Sequence, residues 1–132
     1  MASSSSAQVL WERAMSMQAA GRRDDAIDLV RVHLRIRPKD AEALSLMGVL
    51  LQGAGRLEES ERTLRRAIQL DPRNAAAFNN LGVTLSYAKR QREAIAEWER
   101  AARIQPLYPL PWISLSQAYS QVNEAQRGAE AG

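Results

Sequence analysis

Residues 74–106 read NAAAFNNLGVTLSYAKRQREAIAEWERAARIQP. Phe78, Leu81 and Leu85 fall at helical spacing, and the spacing then resumes with Ile95, Trp98, Ala101, Ala102 and Ile104. Neighbours three, four and seven apart mark amphipathic helices, so the stretch predicts two helices joined by a short turn. Moving back along the chain finds the same pattern again. Pro38, Pro72 and Pro106 stand 34 residues apart, and Ile36, Leu70 and Ile104 each stand two places before them. Leu10, Leu44, Phe78 and Trp112 share one register, and Met17, Leu51, Leu85 and Tyr119 a second. Val30, Leu64 and Trp98 share a third, Gly48 and Gly82 a fourth, and Ala26, Ser60 and Ala94 form a row of small residues. A period of this length signals stacked copies of one supersecondary unit, none of which buries its apolar face alone.

The middle copy shows how each unit is punctuated. Leu44, Met47, Val49, Leu50 and Leu51 fit one helix, which Gly53 and Gly55 break. Leu57, Ser60, Leu64, Ala67, Ile68 and Leu70 fit a second, stopped at Asp71-Pro72 because proline disfavours a helical residue before it. Asp40 and Asn74 stand where N-caps belong. No segment alternates with the period of a strand. The expected fold is all-α.

The 132 residues are one domain's worth of chain, 45% hydrophobic and 25% charged, which is ordinary for a globular protein. With no cysteine and a single histidine, His33, the composition points to neither a disulfide framework nor a metal site, and a structural role is expected for His33. No apolar run approaches the roughly 20 residues of a membrane span, and the start Met1-Ala-Ser-Ser-Ser-Ser lacks the regions of a signal peptide, which points to the cytoplasm. The net charge of +3 comes from 16 Arg and two Lys against 15 acids. The acids are interleaved with the bases, as in Asp24, Asp25 and Asp28 beside Arg22, Arg23 and Arg31, so ion-paired solvated faces are favoured over a nucleic-acid surface.

The chain resembles the tetratricopeptide repeat family, whose pattern places W-x2-L-G-x2-Y, then A-x3-F, then P across one unit. Here it reads Phe78-x2-Leu81-Gly82-x2-Leu85, Ala94-x3-Trp98 and Pro106, and in the preceding copy Leu44-x2-Met47-Gly48-x2-Leu51, Ser60-x3-Leu64 and Pro72. The first copy diverges, with Leu10, Arg13, Ala14 and Met17, then Ala26-x3-Val30 and Pro38. The resemblance implies a right-handed α-α superhelix of three full repeats, about 7–40, 41–74 and 75–108, plus the first helix of a fourth, 109–122. Residues 1–6 are expected as a disordered tail, with Ser5 and Gln8 as a capping box, and 123–132 as a short tail or truncated helix. Trp98 and Trp112 lie in core registers and are expected to be structural.

The same resemblance places the binding surface on the concave side, lined by the first helix of each pair. Carried onto this chain, the groove residues are Trp11, Met15, Leu46, Val49, Asn79, Asn80, Val83, Tyr87, Ile113 and Gln117. Family members that grip a C-terminal carboxylate use a clamp of Lys, Arg and Asn. The matching places here hold Trp11, Met15, Leu46, Ala76 and Asn80, which disfavours that ligand. The groove is expected to be apolar at its centre and edged with uncharged amides, suited to an amphipathic helix or an extended apolar peptide.

No P-loop, dinucleotide-binding, zincin or nucleophile-elbow motif occurs. The resulting expectation is a non-enzymatic interaction module, a scaffold, adaptor or small chaperone, that needs no cofactor and binds a protein or peptide. One alternative is the front portion of a larger enzyme or transferase, since such arrays often precede catalytic domains. A distant one is nucleic-acid binding through outer-face arginines such as Arg65, Arg66, Arg100 and Arg103. The apolar helix 109–122 further suggests a homodimer formed through its C-terminal end.

Overall fold

Seven helices account for the secondary structure of the computed structural model, which describes residues 2–131, with side chains for 8–128. They are α1 (Ala2–Ala19), α2 (Arg23–Ile36), α3 (Ala41–Gly53), α4 (Leu57–Leu70), α5 (Ala75–Tyr87), α6 (Gln91–Ile104) and α7 (Pro109–Ala131). Among the described residues there is no strand, as the periodicity demands. The helices fall two to a repeat, with α7 opening a fourth.

The chain divides into two compact units, Met1–Arg73 and Asn74–Gly132. In the first, α1 packs on α2, α2 on α3 and α3 on α4. Its main core joins Ala14, Ala26, Ile27, Val30, Ala43, Leu46, Met47, Leu50 and Leu51. In the second, α5 packs on α6 and α6 on α7.

Helix pairs approach closely where the sequence is small. At Gly48 an added Cβ would collide with the side chain of Leu64, and at Gly82 it would stand 2.5 Å from Trp98 Nε1. Opposite Gly48, the Ser60 hydroxyl donates to the Gly48 carbonyl at 2.7 Å, which satisfies a polar group in a buried contact. Trp98 is 4% exposed, and its indole N–H donates to the Asn79 carbonyl at 3.2 Å. It is structural, as its register predicts. Trp112 is not: it is 52% exposed, its N–H donating to the Pro106 carbonyl at 2.8 Å. Register alone cannot bury a ring when no second helix packs over it.

The first helix of each of the second and third pairs is capped as predicted. Asp40 Oδ1 accepts from the Ala43 N–H at 3.1 Å, and Asn74 Oδ1 from the Ala77 N–H at 3.2 Å. The second helices open differently. Arg22, Arg56 and Arg90 occupy the N-cap positions, and each guanidinium pairs with the acid three residues on, Asp25, Glu59 or Glu93. Solvent-exposed pairs of this kind contribute only about 0.3–0.5 kcal/mol each. Their repetition at the same step reflects the period rather than a site.

At the N-terminal end the helix reaches further than the sequence reading, and at the C-terminal end the chain takes one of the two forms expected of it. The helical backbone of α1 starts at Ala2, within the stretch read as a tail, since serine is only mildly unfavourable in a helix. The Ser5 side chain of the supposed capping box lies outside the described ones. At the other end α7 runs for 23 residues to Ala131, so the stretch read as a short tail or truncated helix is helical, with Gly128 inside it.

His33 pairs with Asp40, Nε2 to Oδ2 at 2.7 Å, both partly buried. Burial works to raise the Asp40 carboxyl, but the bond to His33, the Ala43 N–H and the His33 charge outweigh it, holding the group below its ordinary value of 3.8. A depressed carboxylate stabilises the fold above that value and loses its contribution as pH falls through the lower, folded one. Thermal melts of the parent should therefore weaken as the pH is taken below about 4. Asp40→Asn keeps a capping oxygen without the titrating charge and should flatten that acid limb, whereas Asp40→Ala should cost about 1 kcal/mol at neutral pH by loss of the cap. Identical acid limbs for parent and Asp40→Asn would refute this role.

Candidate functional site

Within the second unit a concavity lies where α5, α6 and α7 meet, a pocket of about 180 Å³. From α5 come Val83, Ser86 and Tyr87, spaced so that they share one helix face. Ser114, Gln117, Ala118 and Gln121 do the same from α7, and α6 contributes Gln91 and an edge of Trp98. Polar side chains in this lining are linked. Ser86 Oγ donates to Gln91 Oε1 at 3.0 Å, and Gln91 Nε2 donates to Gln121 Oε1 at 3.3 Å. Tyr87, 64% exposed, stands at the rim.

No Lys, Arg, His, Asp or Glu lines this pocket. The amides and hydroxyls can both donate and accept, so they suit a neutral polar group or a peptide backbone. A carboxylate brought here would meet no cation to offset its desolvation. The lining serines, Ser86 and Ser114, have no histidine, lysine or carboxylate beside them within this lining.

Of the residues expected at the groove, Val83, Tyr87 and Gln117 come together here. Ile113, on the same helix as Gln117, is 54% exposed but outside the lining, and Asn80 is half-buried. Asn79 is a correction. At 4% exposure it cannot offer its amide to a peptide, and its contribution is the backbone carbonyl that receives Trp98. Its Oδ1 is buried without a hydrogen-bond partner among the described atoms.

In the first unit Trp11 and Met15 lie one turn apart on α1, 49% and 37% exposed, and Val49 on α3 is half-buried. Leu46 is the second correction. It is 2% exposed and belongs to the core with Ala14, Ile27 and Val30, because α3 is apolar on nearly every side and turns this face inward.

Ser86, Ser114 and Gln121 also stand at groove places of the resemblance, whereas Gln91, Trp98 and Ala118 line the pocket from outside them. Gln91 opens the second helix of its pair, outside the first-helix rule that selected the others.

Residues 45–109 match the profile of the family described as Tetratricopeptide repeat. The fold is similar to that of the tetratricopeptide domain of Sgt2 from Aspergillus fumigatus, with a TM-score of 0.85 at 22% identity over 92% of this chain and 82% of that one. It is similar also to YrrB, described as having an unusual peptide-binding site, with a TM-score of 0.75 at 23% identity over 81% of this chain and 55% of that one. An O-GlcNAc transferase of Thermobaculum terrenum gives a TM-score of 0.78 at 29% identity, over 84% of this chain and 21% of that one. The chain thus spans about half the length of YrrB and a fifth of the transferase. Comparison with curated protein sequences finds no match.

Proposed function

We propose that this chain, which carries the tetratricopeptide repeats of that family across residues 45–109, is a non-enzymatic adaptor or scaffold that binds a peptide through the pocket of α5, α6 and α7. The observation that carries the reading is the lining itself: apolar at Val83, Trp98 and Ala118, amide and hydroxyl elsewhere, and free of formal charge. Such a surface takes a neutral segment, with Val83 and Trp98 against its apolar side chain and the glutamines on its backbone. YrrB, a protein of similar fold with a peptide-binding site, lends the class support. Trp11 and Met15, exposed one turn apart on α1 of the first unit, are the second place to test, with half-buried Val49 beside them in the expected groove.

Val83→Glu puts a carboxylate into the neutral pocket and should weaken partner binding by about 2–4 kcal/mol while leaving helical circular dichroism unchanged. The partner is obtained by affinity capture from the native cell and titrated as a purified protein. Because no charge lines the site, its affinity should change little between low and physiological salt. Binding that survives Val83→Glu but is lost on Arg65→Glu with Arg66→Glu would move the interaction to the arginine-bearing outer helices.

A second reading, the repeat portion of a larger transferase, is favoured by the 29% identity to the Thermobaculum terrenum enzyme. The complete reading frame tests it, since the reading requires a catalytic domain in the same chain.

A further inference from the structure

Three polar side chains of the pocket between α5, α6 and α7 form a hydrogen-bond chain that runs one way. Ser86 gives its one hydroxyl hydrogen to Gln91 Oε1 at 3.0 Å, so its oxygen is left only to accept. Gln91 Nε2 gives one of its two hydrogens to Gln121 Oε1 at 3.3 Å and keeps the other. The Gln121 amide nitrogen, at the end of the chain, has no partner among the described residues. The pocket thus offers an acceptor at Ser86 and donors at Gln91 and Gln121, with carbon beside them at Val83, Trp98 and Ala118. Packing of the helix pairs does not require this chain. The place of Gln91 is held by Arg23 and Leu57 in the other copies, and that of Gln121 by Ala19, Gly53 and Tyr87. Nor does a following helix of the array cover such a face. Val83, Ser86 and Tyr87 stay partly or fully exposed with α6 packed on α5, as do the matching Val49, Gln52 and Gly53 with α4 packed on α3.

We propose that the pocket reads a side-chain amide, so that the residue of the bound peptide that enters it is glutamine or asparagine. This rests on the peptide-binding reading above and deepens it, naming a side chain rather than the main chain as what Gln91 and Gln121 hold. A primary amide carries its acceptor and its donors on neighbouring atoms. Its carbonyl takes an N–H of Gln91 or Gln121, and its NH2 gives a hydrogen to Ser86 Oγ. A carboxylate has only acceptors and leaves the Ser86 oxygen facing another oxygen, whereas an ammonium has only donors and meets the glutamine N–H groups. A purely aliphatic side chain covers all three polar groups without bonding them, which costs their hydration. The concavity of about 180 Å³, walled by three helices, takes the methylenes of the amide side chain against Val83 and Trp98.

The test uses three end-blocked peptides of serine and alanine that differ only in a central glutamine, glutamate or methionine, side chains of nearly one shape. Each is titrated into the full chain labelled with nitrogen-15, and the side-chain N–H signals of Gln91, Gln121 and Trp98 are followed by NMR. The glutamine peptide is expected to move these signals with a Kd about tenfold or more below those of the other two. Gln121→Leu, at an exposed position, should bring the glutamine and methionine peptides to within about twofold of each other, with circular dichroism unchanged. Equal or tighter binding of the methionine peptide, or a preference untouched by Gln121→Leu, overturns the amide reading while leaving a peptide site in place. If no peptide moves the signals the amide reading falls, and the peptide-binding reading is decided separately by Val83→Glu against the captured partner. The proposal is overturned equally if sedimentation equilibrium finds the chain dimeric and Gln121→Leu makes it monomeric, since a second copy then fills the pocket.

Discussion

Replacing Trp98 with alanine is expected to lower the stability of the chain by about 3–5 kcal/mol, the largest effect of any single substitution proposed here. Three losses combine. The ring is 4% exposed, so nearly all its apolar surface returns to water on unfolding. Its removal also leaves a void over Gly82, where the helices are too close for other side chains to fill it. Finally, the Asn79 carbonyl loses the N–H that reaches it at 3.2 Å. Trp98→Phe separates these terms: it keeps most of the ring and gives up the hydrogen bond, so it should cost about 1–3 kcal/mol. With total stabilities of about 5–15 kcal/mol for domains of this kind, Trp98→Ala should shift urea unfolding to much lower concentration. Because Trp98 also edges the pocket, loss of binding in this variant says nothing by itself. A Trp98→Ala protein that unfolds like the parent would show the ring to be a ligand platform rather than a pillar.

Gly82→Ala should also destabilise, by about 1–3 kcal/mol, against the direction of helix propensity. In an open helical position the same change gains about 1 kcal/mol, since alanine is the better helix former. At Gly82 the new methyl would sit 2.5 Å from Trp98 Nε1 and 2.9 Å from Cε2, so the indole must be pushed out of its seat. Gly128 is the internal control: it lies in α7 with nothing within 4 Å, and Gly128→Ala should be neutral or mildly stabilising. Combining Gly82→Ala with Trp98→Val should cost less than the sum of the two, because the smaller side chain tolerates the methyl. Denaturant midpoints of the four proteins check this. Strict additivity would mean that Gly82 is not the seat of the indole.

The fold was legible in the sequence because its determinants are local or periodic. A run of apolar residues at helical spacing, ended at Asp71-Pro72 and restarted after Asn74, needs no knowledge of distant contacts. Repetition every 34 residues then identifies the small residues, Gly48, Gly82, Ser60 and Ala94, as points of close approach. The N-caps at Asp40 and Asn74 follow from the same local logic, and the structure shows their bonds.

Exposure was not legible, since it depends on what packs against each face. The family resemblance put Leu46 and Asn79 on the same footing as Val83 and Tyr87, yet packing buries the first two and leaves the others at least partly open. Periodicity gave Trp112 the register of Leu44 and Phe78, but a register position becomes core only where a second helix covers it. By itself the sequence determined a repeating all-helical chain, and the resemblance it carries led to an expected groove without Lys or Arg. Tertiary structure alone decided that Gln91 and Trp98 join Val83, Ser86 and Gln117 around one pocket, and that Trp112, Ser116 and Tyr119 face outward. The reason is physical: helix formation is governed by neighbours along the chain, whereas a site is made by side chains that only packing brings together.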